Sequence, residues 1–168
     1  MGVRCGWRYL EVSLLAMQIL IQLPTNRQSY GRLAYGDFWA ECYGQADLMA
    51  AIQHGNPQRD PLKPYGDTPL GRYRAVLGTV TPPLRSYGPH RVIELQPIDG
   101  DALKAAHAGR DGLWIHGGAP APDGIGLRPT HGCVRLSDRN QGELVSLLEA
   151  AGVAACECEI TVMVKKGT

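Results

Sequence analysis

The sequence predicts a mainly β domain with one or two short helices. Glycine (21 residues) and proline (12 residues) together make up about a fifth of the chain, against roughly 12% in average proteins, which indicates many turns. Several segments between these turns alternate apolar and polar residues, as half-buried strands do. The 44% hydrophobic content excludes a disordered chain. At 168 residues the chain fits one domain with its own core.

Five segments carry strand signals, because they are apolar or alternating and are bounded by turn residues. They span residues 18–23, 30–43, 72–80, 91–95 and 156–165. Glycines 31 and 36 indicate bends or bulges in the second segment, so we expect a meander there. In the last segment one face is expected to be buried. Its residues are Cys156, Cys158, Ile160, Val162 and Val164.

Three segments carry helix signals. Residues 46–53 suit a short helix within an otherwise irregular, proline-rich region. Residues 101–108 follow a candidate cap, Asp99 or Asp101, and stop at Gly109. The third helix is expected to begin after Ser137, a good N-cap, and to end near Gly152. Its predicted apolar face consists of Leu144, Val145, Leu147 and Leu148.

Charge and cysteine content narrow the function classes. The net charge is +1, from 17 basic and 16 acidic residues, so the composition does not suggest nucleic acid or a charged membrane surface as a partner. We expect a monomer without a transmembrane segment. Five cysteines is an odd number, and their spacing suits no disulfide framework. We therefore predict that all five are free thiols.

Residues 1–16 are interpreted as an N-terminal extension of uncertain origin, with the domain itself at 17–168. Arg4 and Arg8 precede an apolar run and loosely imitate a signal peptide. Glu11 and Gln18 interrupt that run, and no small-residue cleavage site follows. The run is too short and polar for a membrane span. We expect these residues to come from a misassigned start, which an intact-mass measurement of the native protein tests.

The stretch from 115 to 136 concentrates the unexplained chemistry. An apolar run ends at His116, a loop rich in glycine and proline follows, and the segment Thr130-His131-Gly132-Cys133-Val134-Arg135 comes next. A thiolate is the nucleophilic form of cysteine, so a catalytic cysteine needs a proton acceptor or a positive neighbourhood. His116, His131 and Arg135 are the available sources. In an extended segment His131, Cys133 and Arg135 would face the same way.

Gly132 allows a sharp turn beside the nucleophile, where successive N–H groups can converge on an oxyanion. Arg135 is suited to hold a carboxylate. Two other interpretations stay open at this point. Cys133 can be an ordinary core residue, and His116, His131 and Cys133 can bind zinc, although no fourth ligand is evident. The remaining histidines suit plain surface or loop roles: His54, His90 and His107.

These motifs resemble the signature of the L,D-transpeptidase (YkuD-type) catalytic domain family. His116-Gly117 followed by Thr130-His131-Gly132-Cys133-Val134-Arg135-Leu136 carries the resemblance. Asp67-Thr-Pro-Leu-Gly71 is similar to the family's Thr-Pro-x-Gly turn, and Tyr87-Gly-Pro before a strand also fits. The resemblance covers residues 17–165.

The resemblance implies a β-sandwich-like domain with the catalytic cysteine in a cleft. Such enzymes act on peptidoglycan stem peptides in the periplasm or cell envelope, and need no cofactor or metal. The cysteine attacks the carbonyl between diaminopimelate at position 3 and D-alanine at position 4, and forms a thioester. An amine then gives a 3→3 crosslink, water gives an L,D-carboxypeptidase, and a lipoprotein lysine gives anchoring. Carbapenems acylate the same cysteine.

Carried onto this chain, the resemblance makes Cys133 the nucleophile and His116 the general base, with His131 beside them as the third catalytic candidate. The Gly117 carbonyl would orient the imidazole, and the N–H groups of His131, Gly132 and Cys133 would bind the oxyanion. Arg135 and Thr130 become substrate-binding candidates. Possible cleft neighbours are Trp114, Tyr87 and His90. The rivals are an L,D-carboxypeptidase acting as a toxin, a non-catalytic wall-binding module and a zinc protein.

Overall fold

A computed structural model describes residues 18–164, and within this range the chain forms eight strands and three helices. The strands are β1 Gln18–Leu23, β2 Gly31–Tyr35, β3 Phe38–Cys42, β4 Gly71–Gly78, β5 Val92–Asp99, β6 Trp114–His116, β7 Val134–Arg135 and β8 Ala155–Val162. The helices are α1 Leu48–Gln53, α2 Gly100–His107 and α3 Asp138–Ala150, with one 3₁₀ turn at Arg85–Tyr87. The mainly β class is confirmed. All three segments with helix signals form helices, although the fold class was predicted with one or two.

All eight strands belong to one sheet, in the order β3-β2-β1-β8-β4-β5-β6-β7. The β1–β8 and β6–β7 pairs are parallel and the others are antiparallel. The two edges of the sheet meet where β3 ends. Tyr43 and Arg135 exchange two backbone hydrogen bonds, each 2.9 Å long. The β-sandwich-like domain that we expected is therefore formed by a single sheet, which curls until its two edges pair.

The core lies inside this curled sheet, because every second side chain of the central strands points inward. On β1 the fully buried side chains are Ile19, Ile21 and Leu23. Helix α3 contributes Leu144 and Leu148 to this core. Two details of the predicted apolar faces are wrong: Leu147 is 40% exposed and Val164 is 82% exposed. Leu147 lies off the buried helical stripe, and Val164 follows the end of β8.

The helix ends agree with the capping signals. The Ser137 side chain accepts a hydrogen bond from Asn140 N, and Asp99 caps α2 by accepting one from Gly100 N. The predicted strand at 18–23 is confirmed with the same bounds as β1. The predicted 72–80 and 91–95 strands are present as β4 and the longer β5. Segment 30–43 divides into the β2–β3 hairpin, with Gly36 in its turn at φ 57°.

Free thiols are confirmed for the four described cysteines: Cys42, Cys133, Cys156 and Cys158. Burial raises the pKa of Cys42 to about 12, so that thiol stays protonated and acts as a small apolar core residue. Cys5 and the predicted extension at 1–16 lie outside the described residues. Among residues 18–164, none of the helices has the length and apolar character needed to cross a bilayer.

The two leucines of α3 give a direct test of this packing. We expect Leu144→Ala to lower the free energy of unfolding by about 2–5 kcal/mol, because Leu144 is fully buried and its loss leaves a cavity. Leu147→Ala is the matched control on the same helix and should cost about 0.5 kcal/mol or less. Urea denaturation of both variants measures the difference, and equal losses would contradict the assigned helix face.

Candidate active site

Strands β6 and β7 place the predicted site residues on one face of the sheet. Ile115 lies opposite Val134 and both are fully buried in the core. Because side chains alternate along a strand, the neighbouring His116 and Arg135 point to the other face. Cys133, one residue before β7, continues this face, and its Sγ accepts a hydrogen bond from Trp114 N at 3.4 Å.

This face opens onto a cleft of about 710 Å³. Side chains predicted from the motif line it together: His116, Thr130, His131, Cys133 and Arg135. The start of α1, the 3₁₀ turn and the loops around 64–65, 109–113 and 122–129 supply the other walls. The two histidines and the cysteine, separated by up to 17 positions in sequence, therefore share one solvent-connected space.

The imidazole of His116 is held in one tautomer. Its Nδ1 lies 2.6 Å from the carbonyl oxygen of Gly117. Since a carbonyl oxygen only accepts hydrogen bonds, Nδ1 carries the proton and Nε2 keeps its lone pair. The Tyr87 ring packs edge-on against the imidazole, with 4.8 Å between centroids. Burial lowers the pKa of His116 to about 4, and the Arg135 cation acts in the same direction, so the ring is neutral at pH 7.

The thiol of Cys133 is nearly buried, with the residue 8% exposed. Sγ lies 3.5 Å from Gly112 O, the acceptor for its proton. Burial raises the pKa of the Cys133 thiol, although the Trp114 N–H and the cations of Arg110 and Arg135 oppose that rise. The resting site therefore holds a protonated Cys133 thiol and a neutral His116 imidazole in one cleft, and not a preformed ion pair.

Arg135 positions the carbonyl group that positions His116. Its Nη1 donates to Gly117 O at 2.7 Å, the same oxygen that accepts from His116. The guanidinium is buried, and Nε has no hydrogen-bond partner among the described residues. The substrate-binding role predicted for Arg135 stays a prediction, whereas its contact with Gly117 is a visible structural role.

Thr130 shapes the turn before the cysteine. Its buried hydroxyl donates to Cys133 O and accepts from Gly132 N, each at 2.9 Å. The Gly132 N–H, one of three predicted oxyanion donors, is therefore already engaged. The N–H groups of His131 and Cys133 donate to no acceptor in the described part of the chain. Gly132 has φ 118°, a conformation in which a side chain would be strained.

The Thr-Pro-x-Gly turn contacts this segment directly, which the sequence did not predict. The Thr68 hydroxyl is fully buried and lies 2.7 Å from Gly132 O. Behind the same turn, the buried Arg110 donates to Gly66 O at 2.6 Å and to Asp67 O at 2.8 Å. A single arginine in the loop between α2 and β6 has no sequence signal for such a role, so only the tertiary contacts identify it.

Asp138 is a second residue that the sequence analysis missed. It lies in the first turn of α3 and its Oδ1 accepts from Gly118 N at 2.7 Å, which secures the loop after His116. A Cβ atom at Gly117 would overlap this carboxylate, so any larger residue there would displace the Asp138 side chain from Gly118 N. The predicted N-cap at Ser137 could have drawn attention to Asp138, because an acidic residue commonly follows an N-cap.

His131 contributes to an aromatic cluster at the cleft. Its ring lies 5.1 Å from that of Tyr65, which in turn stacks on His54 at 3.7 Å and an interplanar angle of 9°. His54, which we interpreted as a solvated loop residue, is exposed but makes this contact. His90 packs beside Gly142 on α3, and it is absent from the residues that line the cleft.

The zinc interpretation has no support in the geometry. Within residues 18–164, no group of three or more His, Cys, Asp or Glu side chains is placed to hold a metal ion. A zinc ion needs about four ligands at roughly 2.0–2.3 Å. Cys133, His116 and His131 all line the cleft, but they are not grouped closely enough to hold a metal ion.

Residues 22–156 match the model of the YkuD family, described as the L,D-transpeptidase catalytic domain. No curated protein sequence matches the chain. Solved structures with a similar fold include two of the helical cell shape determining protein Pgp2 from Campylobacter jejuni. A point mutant of it is 21% identical, with a TM-score of 0.49 and coverage of 89% of this chain and 48% of that one.

Pgp2 without that mutation is 18% identical, with a TM-score of 0.43 over 88% of this chain and 48% of that one. Bd1075 from Bdellovibrio bacteriovorus is 15% identical, with a TM-score of 0.44 over 87% of this chain and 48% of that one. This chain thus spans about half the length of these solved structures.

The protonation state of the resting site is testable by alkylation. We expect the rate at which iodoacetamide modifies Cys133 to keep rising above pH 9, because the pKa of the thiol is raised and only the thiolate reacts. Peptide mass spectrometry separates Cys133 from the half-buried Cys156. A rate that is already constant between pH 6 and pH 8 would instead indicate a preformed thiolate–imidazolium pair.

Proposed function

Because this chain belongs to the YkuD family of L,D-transpeptidase catalytic domains, we propose that it is a peptidoglycan L,D-transpeptidase with Cys133 as nucleophile. The observation that carries the proposal is the tautomer of His116. Its Nδ1 donates to Gly117 O, which leaves the Nε2 lone pair as a proton acceptor in the cleft that holds Cys133. A nucleophile and a base oriented by a third group form the usual arrangement for covalent acyl transfer.

In the first half-reaction, His116 Nε2 takes the Cys133 proton as Sγ attacks the carbonyl carbon of the diaminopimelate–D-alanine bond. The carbonyl oxygen gains the negative charge, and the free N–H groups of His131 and Cys133 are the donors proposed to stabilise it. Collapse of this intermediate breaks the C–N bond. The imidazolium returns its proton to the departing amine of D-alanine, and the acyl group stays on sulfur as a thioester.

In the second half-reaction, an amine of another stem peptide attacks the thioester and gives its proton to His116. The C–S bond breaks, the sulfur regains the proton, and a 3→3 crosslink is formed. Water in place of the amine gives an L,D-carboxypeptidase through the same steps. The family relationship supports both acceptors equally, so muropeptide products are the measurement that separates them: dimers indicate transfer and tripeptides indicate hydrolysis. The proposed location is the cell envelope, where this substrate occurs.

Arg135 and Thr130 receive positioning roles in this proposal. Arg135 shares Gly117 O with His116 and so keeps the imidazole aligned. Thr130 holds the turn that presents Cys133. Its hydroxyl is buried and engaged twice, which makes positioning a better-supported role than the substrate binding that we first expected.

Acylation by a carbapenem tests the proposal. We expect intact-mass spectrometry to show one covalent adduct on the wild-type protein. The Cys133 sulfur attacks the β-lactam carbonyl carbon, the ring opens, and the acyl group stays on the sulfur as a thioester. Cys133→Ala should show no adduct. Cys156→Ala is the matched control, since that half-buried thiol lies outside the cleft, and should react like wild type. Folded wild-type protein that forms no adduct would count strongly against the enzyme and favour a wall-binding module.

Acylation rates distinguish the base from its positioning residue. We expect His116→Ala to lose about 10²–10⁴-fold, the usual contribution of a general base. Arg135→Ala should lose less. Equal rates for His116→Ala and wild type would refute the base assignment, and Arg135→Lys serves as a conservative control for folding.

The pH dependence of the same reaction gives an independent check. Because the pKa of His116 is lowered to about 4, the neutral base persists at mildly acid pH, and the rate should fall only as the pH drops toward that value. Removal of the Arg135 cation should move this acid limb to higher pH, since the cation lowers the pKa of His116. An acid limb near pH 6.5 in the wild type would contradict the buried, neutral imidazole.

A further inference from the structure

The arginines of the cleft differ in what their guanidinium groups already bind. Among the described residues that line it, three are arginines: Arg110, Arg128 and Arg135. Arg110 is 4% exposed and gives its donors to backbone carbonyls behind the Thr68 turn. Arg135 is 6% exposed and gives Nη1 to Gly117 O. Neither is free to present its full donor fork to a ligand.

Arg128 differs in each of these respects. Its side chain is exposed, and within residues 18–164 it forms no ion pair or hydrogen bond. Two aspartates also line the cleft, but neither forms an ion pair with Arg128 in the described range. Asp47 Oδ1 accepts a hydrogen bond from Ala50 N as the N-cap of α1, and Asp111 forms no ion pair in that range. The Arg128 cation is near enough to Arg135 to contribute to the lowering of the pKa of Arg135. The Arg128 cation, unpaired within residues 18–164, is thus close enough to the site to interact electrostatically with charged groups there.

The backbone on both sides of Arg128 is anchored. On one side Leu127 N donates to the Tyr30 hydroxyl at 2.8 Å. On the other side Thr130 N donates to Gln45 O at 3.2 Å, next to the bridge between Ala46 and Thr130. These contacts hold the base of the Arg128 side chain at the cleft. Anchoring of this kind reduces the entropy that is lost when a ligand is bound.

We propose that Arg128 binds a substrate carboxylate and thereby selects which acyl donors reach Cys133. A planar guanidinium with unengaged donors matches a carboxylate through two parallel hydrogen bonds. The inference rests on the proposed function, in which the donor has two carboxylates beside the scissile bond. One is the free side-chain carboxylate of diaminopimelate and the other is the C-terminal carboxylate of D-alanine. Arg128 is a specificity residue here and takes no proton.

The first test does not depend on peptidoglycan. Iodoacetate and iodoacetamide alkylate the same thiol but differ in carrying or lacking a carboxylate. We expect Arg128→Gln to lower the ratio of the iodoacetate rate to the iodoacetamide rate at Cys133 by about two- to fivefold at low salt, the range for an exposed ion pair. Arg139→Gln removes one exposed charge outside the cleft and should leave the ratio unchanged. An unchanged ratio in Arg128→Gln would overturn the proposal.

The second test identifies the carboxylate. Three tetrapeptide donors are compared, one unmodified, one amidated on diaminopimelate and one amidated on D-alanine. We expect one amidation to lower kcat/KM of the wild type about tenfold or more, mainly through KM, as a charged hydrogen bond is lost. The same amidation should have no effect in Arg128→Gln. An effect that persists in Arg128→Gln, or the absence of any amidation effect in the wild type, would refute the assignment.

The two tests also separate this inference from the proposed function. If the wild type reacts with no tetrapeptide while the alkylation ratio still depends on Arg128, transpeptidation fails and the carboxylate site stands. If the tetrapeptides react and neither test depends on Arg128, the enzyme stands and the carboxylate site fails.

Discussion

The pairing of Tyr43 with Arg135 is the contact on which the rest of the structure depends. Two 2.9 Å backbone hydrogen bonds join the edges of an eight-stranded sheet, so the short strand β7 has backbone partners on both sides. A two-residue strand has too few hydrogen bonds to be stable alone. Closure of the sheet therefore holds Cys133, which precedes β7, against the neighbouring Trp114 and brings it into the cleft with His116.

The same residue links the fold to the chemistry. The backbone of Arg135 closes the sheet. Its side chain donates a hydrogen bond to Gly117 O, which also accepts the hydrogen bond from His116 Nδ1. In many acyl-transfer enzymes a carboxylate orients the imidazole. Here a backbone carbonyl does so, supported by a cation. Burial lowers the pKa of His116, and the hydrogen bond to the neutral carbonyl of Gly117 raises it too little to offset that effect.

Local signals in the sequence predicted the elements well where the interactions are themselves local. The Ser137 and Asp99 caps involve residues within three positions, and the β1 alternation reports its own burial. Contacts between distant segments were missed, such as that between Thr68 and Gly132, 64 positions apart. The exposure of Leu147 was missed because an apolar residue beside a buried stripe looks the same in sequence as one within it.

By itself the sequence determined the chemistry available to this protein: one cysteine and two histidines in a recognisable motif, on segments whose strand and helix signals are strong. The tertiary structure alone decided how those groups behave. Proton location and thiol reactivity depend on burial and on partners from distant parts of the chain, as with Arg135 on Gly117 and Thr68 on Gly132. It likewise decided which arginines are free, because backbone carbonyls from distant loops engage Arg110 and leave Arg128 open to the cleft.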